Sequence, residues 1–217
     1  MLKIVNTQVY GLDNAIRAMR NPLNSWDKSD SVSEPIDMEF RPGIFKFNLG
    51  EKDLKLCQAL IKAGNSDRKF LRMIHVTVDI TAPLYWWKDM DQYKVATVTN
   101  GCSTMHTIHS KDLSFEDFST EHLNDLMKGT LKGIIELMNL YRKKFVETKD
   151  KENWWQIIQM LPSSYNQMRT WDGNYETLIS MYFQRRNHKL DEWHTICDWI
   201  LELPHMKDFI SALDKKY

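Results

Sequence analysis

The chain has 217 residues, of which 42% are hydrophobic and 27% are charged, as in an ordinary globular protein, and we expect a single domain over 1–217. Its 29 basic and 29 acidic residues cancel, which argues against binding to duplex nucleic acid. No apolar run of about 18 residues and no signal-peptide pattern occurs, so we expect a cytoplasmic protein without a membrane span.

The first half of the chain alternates between strand and helix patterns. The segment RMIHVTVDIT is the clearest strand, because its apolar residues alternate with polar ones. The segment EKDLKLCQALIKAG places its apolar residues on one helix face, and its glycine ends the helix. We predict a strand over Leu2–Tyr10, a helix capped by Asp13, an irregular loop over Asn21–Gly43, a helix over Glu51–Gly64 and a strand over Arg72–Thr81.

The second half is rich in helix patterns. We predict helices over Leu84–Lys94, Glu121–Phe145, Asn153–Pro162, Asn174–Arg185 and Leu190–Leu203, of which the second is long and amphipathic. The segment LPSSYNQMRTWDGNY connects two of these helices and is dense in hydroxyl, amide and aromatic side chains. The order of elements predicts a mixed α+β fold with a helix-rich C-terminal half.

The sequence motifs of several common sites are absent. The chain contains no GxGxxG, no GxxxxGK[ST] and no GxSxG, so neither a Rossmann fingerprint, a P-loop nor a hydrolase elbow is supported. His106 and His109 are spaced like metal ligands on one helix face, but they lack carboxylate or cysteine partners, and we predict no metal site. Cys102 is interpreted as a small apolar residue rather than a nucleophile.

Besides the segment LPSSYNQMRTWDGNY, a polar cluster lies at the predicted junction between the last two helices. The run RRNHKLDEW contains Arg185, Arg186 and His188, and guanidinium groups bind phosphate oxygens in a bidentate way. The alternative is a solvated turn in which the basic residues pair with the neighbouring Asp191 and Glu192. The charges by themselves favour this second interpretation, because most surface charges do nothing specific.

The order of these parts resembles one known family, the flavin-dependent thymidylate synthases called ThyX. The resemblance extends over Leu2–Met19, Leu54–Gly64, Ile74–Pro83, Tyr85–His106, Glu121–Phe145 and Leu161–Arg185. It implies a short antiparallel sheet packed with long helices, and a homotetramer with pockets shared between subunits. From Leu161 to Arg185 the chain aligns with the family without gaps. This alignment places Asn174 on a flavin-contacting asparagine of the family and Arg185 on an arginine that contacts the nucleotide.

The chain departs from this family at its signature, RHRxxSxNExS, which binds both flavin and dUMP. The chain has QYKVATVTNGCS at this point, with Gln92, Tyr93 and Lys94 in place of Arg-His-Arg. Asn100 replaces the glutamate of the signature, and Cys102 replaces its serine. The resemblance therefore implies FAD as a cofactor, while the lost cations leave no cofactor assured.

Aromatic, basic and amide residues nevertheless fill this stretch in the manner of a pocket. Rings are expected to stack on a base, Lys94 to meet a phosphate, and Asn100 and Ser103 to form hydrogen bonds. The predicted ligand-binding residues are Trp86, Trp87, Gln92, Tyr93, Lys94, Asn100, Ser103, Asn174, Arg185, Arg186 and His188. The alternative for the tryptophans is packing in the core or between subunits.

Three functions are compatible with these residues. The first is a nucleotide-binding protein that captures a nucleotide or nucleotide-like ligand at pockets between subunits, as a phage-type sequestering protein would. The second is a flavin-dependent enzyme that modifies a pyrimidine nucleotide, for example by C5 methylation of dUMP, with Tyr93 or His106 moving protons. The third is a scaffold without a small ligand. We favour binding over catalysis, because the missing Arg-His-Arg removes the charges that hold flavin and phosphate together.

Overall fold

The computed structural model describes residues 2–35 and 45–214. Its strands are β1 (Lys3–Tyr10), β2 (Val32–Pro35), β3 (Phe45–Asn48), β4 (His75–Pro83), β5 (Val98–Gly101) and β6 (Asn166–Asn174). Its helices are α1 (Leu12–Ala18), α2 (Glu51–Ala63), α3 (Leu84–Met90), α4 (Thr104–Thr107), α5 (Asp125–Thr148), α6 (Lys151–Met160), α7 (Tyr175–Arg185), α8 (Asp191–Glu202) and α9 (Met206–Ser211). The predicted α+β class is confirmed.

Two sheets are formed by the described residues. Four strands form one sheet in the order β1-β4-β6-β5, and β2 pairs with β3 in an antiparallel hairpin with Val32 opposite Asn48. In β4, Val76, Val78 and Ile80 are buried while the residues between them are more exposed. This alternation confirms the strand predicted from RMIHVTVDIT.

Strand β6 was not predicted, because its hydroxyl and amide residues resemble a connecting segment. Those polar side chains are used inside the sheet instead. Thr170 Oγ1 donates to Asp79 Oδ1 at 2.6 Å, and Asn6 Nδ2 donates to Asp79 Oδ2 at 2.8 Å. These hydrogen bonds hold the pKa of Asp79 below its usual value. A polar strand is therefore stabilised by side-chain bonds to its neighbour, a relation that a local pattern does not reveal.

Several helix limits also differ from the prediction. Helix α3 ends at Met90, so the residues that follow lie in turns rather than on a helix. Helix α5 begins after Asn124, whose side chain accepts a hydrogen bond from the Met127 N–H at 3.0 Å. At the start of α1, Asp13 lies in the first helical turn and is not the cap, since Gly11 occupies that position with φ 77°. Helix α9 was not predicted.

The described residues divide into two compact units. The first contains the described residues of Met1–Asn6, Val78–Lys94 and Val98–Trp171, and the second those of Thr7–Thr77, Val95–Thr97 and Asp172–Tyr217. In the first unit, α5 packs against α6 over an apolar core of Ile108, Leu113, Phe118, Leu131, Ile135, Met138 and Ile157. In the second, α7 packs against α8, and α2 against α9. The single domain expected over 1–217 stays a prediction.

The predicted irregular loop is ordered over part of its length. It contains short 3₁₀ turns at Asn21–Leu23 and Trp26–Lys28 and strand β2, while residues 36–43 of the predicted loop lie outside the described residues. Its Ser and Asp residues, which suggested irregularity, are bound by α2. The fully buried Asp53 accepts hydrogen bonds from Ser29 Oγ and Ser31 Oγ, each at 2.6 Å.

Candidate functional site

The predicted ligand-binding residues fall into both units, and each unit is described by itself. The first unit holds Trp86, Trp87, Gln92, Tyr93, Lys94, Asn100, Ser103 and the catalytic candidate His106; the second holds Asn174, Arg185, Arg186 and His188.

Trp86 and Trp87 do not offer ring faces to a ligand in this structure. Both side chains are fully buried, and their rings meet edge to face at a centroid distance of 4.9 Å. The Trp87 Nε1–H donates to the Gln167 carbonyl oxygen at 2.9 Å. The prediction that they stack on a ligand is therefore wrong for both residues. Their large apolar rings fill the interior beneath α3 and leave no face exposed.

Gln92, Tyr93 and Lys94, which the resemblance aligns with the Arg-His-Arg of the ThyX signature, lie in the segment after α3. Gln92 and Lys94 are exposed, whereas Tyr93 is half-buried and its N–H donates to the Met90 carbonyl oxygen at 3.0 Å. Asn100 is exposed on β5. These side chains are available to solvent, and a role in binding stays a prediction.

A cleft in the first unit lies between the end of β5, helix α4 and strand β6. Its volume is about 670 Å³, and its lining consists of Leu84, Asp91, Thr99, Gly101, Cys102, Ser103, Thr104, Met105, Gln167 and Arg169. Ser103 belongs to the predicted set, and its Oγ accepts a hydrogen bond from the His106 N–H at 3.3 Å. Asp91 was not indicated by the sequence, whereas Gln167 and Arg169 belong to the polar segment LPSSYNQMRTWDGNY without having been singled out in it.

Arg169 is held rigidly at the edge of this cleft. Its Nε–H donates to Gln167 Oε1 at 2.8 Å, and its Nη1 donates to both oxygens of Asp91 at 2.9 and 3.2 Å. The guanidinium carbon lies 4.5 Å from the ring centroid of Trp87, so the buried indole supports the cation from below. This arrangement fixes the guanidinium plane before any ligand arrives.

Two neighbouring residues make room for Arg169 and connect it to the loop. Gln167 Nε2 donates to the Cys102 carbonyl oxygen at 2.6 Å, which ties β6 to the segment between β5 and α4. A Cβ atom on Gly101 would come within 2.9 Å of Arg169 Cγ, so the glycine permits this close approach. Gln167 and Arg169 are two residues apart on a strand and therefore share one face. Recognition of β6 as a strand would have been needed to find this pair.

Cys102 is the accessible cysteine of the chain. It is exposed and lines the cleft, whereas Cys57 and Cys197 are buried. Burial raises the pKa of the Cys57 thiol to about 12 and that of the Cys197 thiol to about 11. A thiol reagent should therefore report on the cleft.

The candidates of the second unit surround α7. Asn174 is buried and caps this helix, its Oδ1 accepting a hydrogen bond from the Thr177 N–H at 3.0 Å. The Arg185 guanidinium lies over the Trp193 ring at 4.9 Å. Arg186 Nη1 donates to Asp214 Oδ1 at 2.8 Å, a partner that the sequence did not suggest.

The remaining candidate of this cluster, His188, is half-buried, and its Nδ1 accepts a hydrogen bond from the Leu190 N–H at 3.2 Å. Structural contacts thus already engage several of these polar groups. A ligand role for Asn174, Arg185, Arg186 and His188 stays a prediction.

The described residues contain neither a cluster of metal ligands nor a membrane-spanning helix. Across residues 2–35 and 45–214, no three His, Cys, Asp or Glu side chains gather in the manner of a metal site. Over those ranges no helix has the length and apolar character needed to cross a bilayer.

Solved structures of similar fold cover nearly the whole chain. The flavin-dependent thymidylate synthase ThyX from Helicobacter pylori, complexed with FAD and dUMP, gives a TM-score of 0.67 at 17% identity over 97% of this chain and 99% of that chain. Another structure of Helicobacter pylori ThyX with FAD and dUMP gives 0.69 at 17% identity, over 98% and 99%. The UMP/dUMP methylase PolB from Streptomyces cacaoi, bound with 5-Br dUMP, gives 0.60 at 9% identity, over 99% and 94%.

No family model matches the chain, and no curated protein matches it in sequence. The structural likeness confirms the ThyX-like fold that the sequence indicated, and the low identity fits a diverged chain.

Proposed function

We propose that this chain is a nucleotide-binding protein on a ThyX-like scaffold from which the synthase signature has been lost. The observation that carries the proposal is the position of the cleft. Its lining includes Gly101 and Cys102, which end the stretch aligned with the ThyX signature, and Ser103, which follows that stretch directly. Solved structures with this fold hold dUMP or 5-Br dUMP.

The chemistry of the cleft suits such a ligand. A volume of about 670 Å³ falls within the range of small-molecule sites. Hydroxyl groups of Thr99, Ser103 and Thr104 can bond to a sugar, and the supported guanidinium of Arg169 offers a fixed donor. Leu84 and Met105 supply apolar surface for a ring.

Capture rather than turnover is the function that we infer. One lysine stands where the ThyX signature has two guanidinium groups and an imidazole, so the residues present fit FAD poorly. In this proposal the protein is a cytoplasmic homotetramer whose subunits share the pockets. It sequesters a nucleotide there, as a phage-type sequestering protein would.

The alternative function is a flavin-dependent enzyme that modifies pyrimidine nucleotides. The neighbours that favour it are ThyX with FAD and the methylase PolB. Tyr93 and His106 are its catalytic candidates, and both side chains reach solvent at least in part. A purified protein that carries flavin absorbance in visible light, and that consumes dUMP when both a one-carbon donor and a reductant are added, would establish this alternative over simple capture.

The test of nucleotide binding is titration calorimetry of the wild type with dUMP, with FAD added and omitted. We expect saturable binding without flavin. Arg169→Gln should weaken it by about 1.5–3 kcal/mol, the usual contribution of a hydrogen bond to a charged group. Lys143→Gln, which removes an exposed cation of α5 in the same unit, serves as the control and should leave the affinity unchanged. Absence of dUMP binding by the wild type would refute the proposal.

A further inference from the structure

The charged groups of the cleft cancel each other. Asp91 and Arg169 are the charged members of its lining, and they form an ion pair at 2.9 Å. A phosphate that approached Arg169 would therefore also meet the carboxylate of Asp91, and the attraction of one would be offset by the repulsion of the other. This part of the cleft is poorly suited to an anion.

The pair keeps both donor and acceptor capacity after its internal bonds are made. Arg169 uses Nε and Nη1, and within the part of the chain that the structure describes no hydrogen bond is formed by its Nη2. The Asp91 side chain is 47% exposed, so its oxygens retain lone pairs that face solvent. A donor and an acceptor thus stand side by side on a rigid support.

A donor beside an acceptor is the complement of an imide edge. In uracil, the N3–H donates and the adjacent carbonyl oxygens accept, and all three atoms lie in one plane. A uracil ring can place N3–H against Asp91 and a carbonyl oxygen against Arg169 Nη2. The fixed guanidinium plane, set by Trp87 beneath it, lowers the ordering cost of that contact.

We infer that Asp91 and Arg169 read the base edge of a uracil-type nucleotide, and that the phosphate is held elsewhere. This inference rests on the proposed function and deepens it, because it assigns recognition of the base to two residues outside the stretch aligned with the ThyX signature. The recognised group is an uncharged imide, so this contact selects uracil or thymine rings over rings without an N–H between two carbonyls.

The experiment compares dUMP with its N3-methyl derivative by titration calorimetry on the wild type. Methylation removes the donor hydrogen and should weaken binding by about tenfold or more, since it leaves the Asp91 acceptor unmatched. Equal affinities for the two ligands would overturn the inference while leaving nucleotide binding intact. If the wild type binds neither ligand, the proposed function itself is refuted.

A variant of Asp91 shows whether the penalty arises at this residue. In Asp91→Ala the methyl group should cost less than about threefold, because the acceptor that distinguishes the two ligands is gone. Thermal melting should show that this variant is folded, as Arg169 keeps its bond to Gln167 and its contact with Trp87. A full methylation penalty that persists in folded Asp91→Ala would overturn the inference. Should that variant not fold, the wild-type comparison of the two ligands still decides.

Discussion

The buried carboxylate of Asp53 makes a specific prediction about stability. Its side chain is fully buried, and its partner Arg20 is only 6% exposed. Oδ1 accepts from Arg20 Nε at 2.6 Å, while Oδ2 accepts from Ser29 Oγ and from both the N–H and the Oγ of Ser31. The substitution Asp53→Asn keeps the shape of the side chain but removes the charge.

The expected cost follows from these contacts. Whichever way the new amide is turned, its NH2 group faces either Arg20 Nε or the Ser31 N–H, both of which are donors. Arg20 would also remain as an uncompensated buried cation. Breaking one side of a buried ion pair costs about 3–5 kcal/mol. For a chain of this length, the melting temperature should fall by about 2–4 °C per kcal/mol.

The assay is urea unfolding of the wild type and Asp53→Asn, followed by fluorescence. Glu51→Gln is the matched control on the same helix, because its partner Lys55 and Glu51 itself are 72% and 78% exposed, and solvent screens that pair. We expect at most a small change in the control, because Glu51 lies in the first turn of α2 but is exposed to solvent. If Asp53→Asn unfolds at the same urea concentration as the control, the buried network does not stabilise the second unit as argued.

The remaining predictions concern pH, ligand contacts and assembly. Burial raises the pKa of Asp53, but hydrogen bonds from serine hydroxyls and Arg20 outweigh burial and lower the folded pKa below the usual value. The stability that Asp53 contributes is therefore complete above the unfolded pKa of about 3.9 and is lost as pH falls through the folded pKa. Urea unfolding measured as a function of pH should show this loss, and a free energy of unfolding that stays constant as pH falls through this range would contradict it. If the protein only captures a nucleotide, Tyr93→Phe should keep dUMP affinity within about 1 kcal/mol in calorimetry, whereas lost turnover with retained binding would indicate an enzyme. Lys94→Ala should weaken binding in low salt and less in high salt; a salt-independent loss contradicts a phosphate contact. Arg185→Ala should cost about 1.5–3 kcal/mol in binding, and an unchanged dissociation constant counts against that site. Sedimentation should show a tetramer, not a 25.8 kDa monomer.

Periodicity predicted the elements whose burial follows a simple pattern. The alternation in β4 and the apolar faces of α2 and α8 were recognised because one face of each packs into a core. Periodicity did not predict strand β6. Its polar residues make side-chain bonds across the sheet, such as Thr170 to Asp79, and these partners are 91 positions apart in the chain.

The cleft could be predicted only in part, because some of its side chains are brought together from distant parts of the chain. Ser103 was predicted as a ligand contact because it directly follows the stretch that the resemblance aligns with the ThyX signature, and its side chain does line the cleft. The pair of Asp91 and Arg169 spans 78 positions and has no local signal. Trp86 and Trp87 misled the prediction, because adjacent tryptophans can fill a core as readily as a pocket, and burial here decided between the two.

Protection of the Cys102 thiol by dUMP is the most direct measure of nucleotide binding in the cleft, because this exposed cysteine lines the cleft while Cys57 and Cys197 are buried and serve as internal controls. The rate of Cys102 alkylation is measured by peptide mass spectrometry as dUMP is added. We expect a saturable decrease in this rate, with the same dissociation constant as calorimetry gives, and little protection in Arg169→Gln. An alkylation rate that stays constant while calorimetry shows bound dUMP would contradict a nucleotide site in this cleft.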